Sequence, residues 1–204
     1  MRNIVLIALA VIVLGANMAS GQGARTASPP GTAATEIGGK YVDGSYQGGK
    51  WIEVTYGRPI KRGRNLWGEG PTYGKEVLSG APVWRAGANV TTRLKTELPL
   101  VIGGKTVPPG EYSVFIDLKA SVWTLIISSW AAQEKYDPSN TQALWGSFGY
   151  TPDKDVVRAQ MKRETLAHSV DQLTWQFLDM SNTGGVLALS WDKTLASVAF
   201  KAGS

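Results

Sequence analysis

Apolar and β-branched residues in this chain come in short runs closed by glycine or proline. Nowhere beyond residue 36 do they repeat at the spacing of an amphipathic helix. Residues 51–56 (WIEVTY) end at Gly57-Arg58-Pro59. Residues 100–102 and 105–107 flank Gly103-Gly104, a pair suited to the two positive-φ positions of a tight hairpin. Residues 112–118 and 122–128 form the strongest pair of runs, joined by Lys119-Ala120-Ser121. The second run is apolar or β-branched on both faces, which predicts a central strand. Residues 155–161 and the alternating Leu173, Trp175 and Phe177 add further strands. Residues 186–191 and 194–200 read as a closing hairpin that turns at Asp192-Lys193. Residues 57–83 and 130–152 read as long loops anchored by aromatic side chains. The 24 glycines, 8 Trp and 7 Tyr among 204 residues suit a sheet protein better than a helix bundle. The expectation is all-β: an antiparallel β-sandwich or flattened barrel of about eight to ten strands, in one domain over residues 37–204.

The N-terminus reads as an address. Arg2 precedes an unbroken apolar run from Ile4 to Leu14, and small residues follow up to Gly21. That order is the layout of a secretory signal peptide over residues 1–21, and the run is shorter than the ~20 residues a membrane span needs. Residues 22–36, rich in Gly, Ala, Ser, Thr and Pro, read as a flexible tether. The expected destination is the periplasm or the exterior, with no stable membrane span after cleavage. The chain has no cysteine, so disulfides, thiol nucleophiles and cysteine zinc sites are excluded. The formal charge of +5 is modest, and no Lys/Arg run tracks a helix or groove, so nucleic acid is not an expected partner.

Several stretches resemble a known family. They are Tyr56-Gly57-Arg58-Pro59, Arg62-Gly63-Arg64 with Gly68 after it, and Val83-Trp84-Arg85-Ala86-Gly87-Ala88-Asn89. Pro109-Gly110-Glu111-Tyr112-Ser113, Trp123-Thr124-Leu125, Trp145-Gly146 before Tyr150, and Asp155-Val156-Val157-Arg158 complete the set. In this order, over residues 40–200, they resemble the secreted bacterial domain of unknown function 2911. The resemblance implies export and a β architecture, and it implies no established activity. Two features depart from it: Thr91 stands where an acidic residue is expected, and residues 69–82 form a long loop.

The candidate ligand-binding residues are Arg58, Arg64, Trp84, Arg85, Asn89 and Arg158. Guanidinium groups bind carboxylate or phosphate through paired hydrogen bonds, and indole faces stack on sugar rings. Converging, these residues form a pocket for an anionic or carbohydrate-like ligand. The alternative is that the arginines pin the long loop of residues 57–83 through its carbonyls and pair with Glu53, Asp117 or Asp155. An acidic pair such as Glu53 and Asp117 leaves a glycan hydrolase open as a second reading. A structural or partner-binding envelope protein without a small-molecule site is a third. No cofactor or metal is implied, and a lone histidine, His168 in a surface turn, rules out a histidine-cluster metal site.

Overall fold

The computed structural model describes residues 26–203, so the expected leader, and the tether up to residue 25, lie outside it. The strands in chain order are β1 (Pro30–Ile37), β2 (Lys40–Val42), β3 (Ser45–Gln47), β4 (Lys50–Gly57), β5 (Thr92–Thr96), β6 (Leu100–Ile102) and β7 (Lys105–Val107). They continue with β8 (Gly110–Leu118), β9 (Trp123–Ser128), β10 (Ala131–Ala132), β11 (Ala143–Leu144), β12 (Asp155–Ser181) and β13 (Gly184–Ala202). One four-residue helix, α1 (Lys75–Leu78), interrupts the loop between β4 and β5.

Nine strands form one antiparallel sheet in the order β1-β4-β5-β8-β9-β12-β13-β6-β7. The sheet is sandwich-like and does not close into a barrel. It folds over along β12. Residues from Asp155 to Met161 of that strand pair with β9, and residues from Lys162 onward pair with β13. The two halves share a core that includes Val54, Leu94, Ile116, Trp123, Leu125, Trp175, Leu189 and Phe200.

The central position expected for residues 122–128 is realised in β9, which pairs with β8 on one side and β12 on the other. Both faces are covered. Trp123, Leu125 and Ile127 enter the main core, and Ile126 packs with Phe115, Val83, Leu144 and Tyr150 beneath the loop that follows β9. Gly103 and Gly104 have φ of 57° and 78°, the two left-handed positions that a type I′ turn between β6 and β7 requires.

Three sequence expectations change. The tether assigned to residues 22–36 is overturned from residue 30 onward, because Pro30–Ile37 pairs along its length with β4. This strand is an edge built from Ala, Thr and Gly, so its order comes from backbone bonds rather than from an apolar period. The turn at Asp192-Lys193 is also corrected: β13 runs straight through it. Asp192 has φ 53° and meets Val170 at a register shift in the β12–β13 ladder, an irregularity inside one long hairpin. His168 is exposed but lies within β12, not in a turn.

Candidate functional site

The residues from Val83 to Asn89 fold against the sheet because Trp84 exchanges two backbone hydrogen bonds with Ile116, at 2.9 and 2.8 Å. The chain then reverses through Ala86 (φ 50°) and Asn89 (φ 62°), two non-glycine residues in the left-handed region. That conformation costs an alanine about 1–2 kcal/mol. It is held by its surroundings. The Ala86 carbonyl accepts from Trp175 Nε1 at 2.9 Å, and the Asn89 amide donates to Ser28 O at 3.2 Å. Gly57 packs against this reversal so closely that a Cβ there meets the Ala88 carbonyl oxygen.

The reversal lines a cleft of about 370 Å³. Of the six candidate residues, four border it: Arg64, Trp84, Arg85 and Asn89. Trp145, from the loop before β12, forms part of the wall. The structure therefore gathers stretches that are far apart in the chain around one hollow. It does not gather all three arginines on which a larger site depends.

Arg158 lies elsewhere. It sits on β12, where Nη1 donates to Asp155 at 2.8 Å and to the Tyr150 hydroxyl at 3.1 Å, and Nη2 donates to Asp117 at 2.9 Å. Asp155 is local and Asp117 comes from β8, the next strand but one in the same sheet, so its charge is neutralised within the sheet. Arg58 borders a separate groove of about 400 Å³ between β1 and β12, beside Thr32, Gln176 and Phe177. Its Nε is buried without a hydrogen-bond partner among the described residues. The convergence of Arg58, Arg85 and Arg158 on one pocket is thus overturned.

Arg64 answers to the loop-pinning role. Nε donates to Lys61 O at 3.0 Å, Nη2 to Ile60 O at 2.9 Å, and Nη1 to Glu76 at 3.1 Å. Its guanidinium also lies 5.7 Å from the centre of the Trp191 ring. Lys61 fastens the same loop to β13 through Asp192, at 2.5 Å. Trp84 is corrected from ligand platform to core. It is 1% exposed and stacks on Trp191 at 5.9 Å with 12° between planes, edge-on to Trp67 and Trp123. It forms the floor of the cleft, not a face open to a sugar ring.

Arg85 differs from Arg64 and Arg158, which pair with acids, and shares with Arg58 the lack of such a pair among the described residues. It is partly buried and has no acidic partner among the described residues. Nη1 donates to Asn89 O at 2.7 Å, and the guanidinium lies 5.4 Å from the centre of the Phe148 ring. Its flat face rests on Gly146, whose missing Cβ leaves the room: a Cβ there falls 2.5 Å from Arg85 Cζ. Desolvation by burial lowers its pKa. Gly146 and Trp145 are held by Thr91. The buried Thr91 hydroxyl lies 2.8 Å from Gly146 O and 3.0 Å from Leu144 O. The sequence reading placed Trp145 in the long loop and, with Gly146, in the family resemblance, and it missed Gly146 as the seat of Arg85. The Trp145-Gly146 pair in the family resemblance was the signal available.

Glu53 and Asp117 do not form a glycosidase pair. Glu53 stands opposite Lys95, which stands opposite Glu111, and from Glu111 to Asp117 strand β8 rises about 20 Å. Acid and base in such enzymes stand roughly 5–10 Å apart. Asp117 is moreover engaged by Arg158 and Lys119.

Fold and cleft together define an all-β, sandwich-like protein whose Arg85, without an acidic partner among the described residues, borders a surface hollow. The family model described as protein of unknown function (DUF2911) matches residues 39–200, and the chain belongs to that family. No curated protein and no solved structure matches it.

Proposed function

We propose that this protein is an exported, non-catalytic binding module that takes an anionic ligand in the cleft at Arg85. The observation that carries the reading is a partly buried guanidinium without a carboxylate partner among the described residues, with donors left over after its one bond there, to Asn89 O. A desolvated arginine binds carboxylate or phosphate more strongly than one in bulk water, because both ions meet at low local dielectric. Two further features support it. Glu76 offsets Arg64, so Arg85 is left as the uncompensated charge at the hollow. Strained left-handed residues, Ala86 and Asn89, flank the donor, and such strain concentrates at ligand sites. Export rests on the apolar run from Ile4 to Leu14.

An anion is favoured over a neutral sugar because Trp84, the expected stacking face, is buried. A scaffold without a ligand is the competing reading, and it draws on Arg64 and Arg158, both spent on internal contacts.

Calorimetric titration with acetate, phosphate, glucuronate and glucose tests the proposal. The anions bind wild-type protein and lose at least tenfold in affinity in Arg85→Gln, while glucose does not bind. Equal behaviour of the two proteins toward every anion overturns it in favour of the scaffold.

A further inference from the structure

The Arg85 cleft does not end at the arginine. A second compartment of about 390 Å³ adjoins it, and Ser28, Ala88, Asn89 and Trp145 border both. The two differ in chemistry. The first holds Arg64, Arg85 and Glu76. Among the described residues the second carries no charged side chain, and its walls include Pro30, Tyr56, Gly57, Val90 and the far side of Trp145, with Thr26, Ser28 and Asn89 as the polar members. Tyr56 shows little more than ring there, because its hydroxyl accepts the Trp175 N–H at 3.0 Å in the interior. A fixed positive charge at one end and an apolar slot at the other, divided by one indole, match a ligand built the same way.

Resting on the anion reading of Arg85, we infer that the ligand is a single-chain amphiphile. Its carboxylate or phosphate head pairs with Arg85, and its apolar chain lies along Trp145 and Val90. A hydrophilic sugar acid fits less well, because Pro30, Ala88 and Val90 offer its hydroxyls no partner and only Thr26, Ser28 and Asn89 stand in for the water lost on entry. A hydrocarbon chain gains from the same walls, by up to about fourfold in affinity for each methylene buried.

The test is a chain-length series titrated into the whole mature protein below micelle-forming concentrations: acetate, hexanoate, octanoate and decanoate, with decyl phosphate and decanol alongside. Affinity rises two- to fourfold per methylene until the slot is full. Decyl phosphate binds like decanoate, and decanol binds at least tenfold more weakly. Val90→Asn flattens the dependence on chain length and leaves acetate unaffected. If acetate and decanoate bind alike, the amphiphile inference falls and the anion reading stands. If decanol matches decanoate, or nothing in the series binds, both fall. Binding to phosphatidylglycerol vesicles without binding of any monomeric amphiphile also overturns the inference, in favour of a membrane surface.

Discussion

The Arg158 guanidinium spans β9 to join Asp155 of its own strand to Asp117 of β8, at 2.8 and 2.9 Å. It is a strut within the sheet. Arg158→Ala leaves the nearly buried Asp155 carboxylate (7% exposed) without its counter-charge. Arg158 itself is 40% exposed, so solvent softens the loss, and a cost of about 1–2 kcal/mol is expected. Thermal melting falls by several degrees. Affinity of the cleft for decanoate or phosphate stays within twofold of wild type. A large loss of binding would restore the larger three-arginine site.

Gly146→Ala separates the seat of Arg85 from Arg85 itself. Its φ of 64° disfavours alanine by about 1–2 kcal/mol, and the new Cβ occupies the place of the guanidinium. Modest destabilisation with at least tenfold weaker anion binding is expected from melting and titration measured on one sample. Retained affinity means that Arg85 does not need this seat.

Gly57→Ala is expected to be far more harmful, although φ at this position needs no glycine. The added methyl meets the Ala88 backbone carbonyl at 2.0 Å, and neither chain can step aside, because Gly57 ends β4 and Ala88 lies in the strained reversal. A loss near 3 kcal/mol, at the upper end for overpacking, follows. Urea unfolding reads it as a lower midpoint with unchanged slope.

The Tyr150 phenol is buried and donates to Asp155 at 2.7 Å. Burial first, and then the Asp155 carboxylate, push its pKa well above the ordinary tyrosine range. The folded state therefore holds this proton more tightly than the unfolded chain does. The resulting stabilisation is complete below about pH 10 and declines as pH rises beyond it. Urea midpoints from pH 7 to 11.5 fall less steeply above pH 10 in Tyr150→Phe. The same variant is weaker by about 1–2 kcal/mol at pH 7, because Asp155 loses a donor. Parallel curves for the two proteins contradict this account.

Local chemistry is what the sequence displayed openly. Gly103-Gly104 announced its hairpin because only those φ values fit. Residues 123–128 announced a central strand because both faces are apolar. Strand β1 stayed hidden because Ala33, Ala34 and the threonines carry little hydrophobic signal, and the pairing that orders them belongs to β4. Asp192 resembled a turn because it does adopt a left-handed conformation, within an unbroken strand. The site was legible in composition and not in partnership. Nothing near Arg158 in the sequence reveals that Asp117 arrives from another strand. Nothing near Trp84 reveals that Trp191 closes over it, at 5.9 Å.

Strand β12 is 27 residues long and serves both halves of the sandwich. Neither half can let go of it without stripping the other of a neighbour. The protein has no seam along which to come apart, so circular dichroism, tryptophan emission and calorimetry should trace one coincident transition. In a chain without cysteine, shared backbone thus takes over the tethering that a covalent cross-link provides elsewhere.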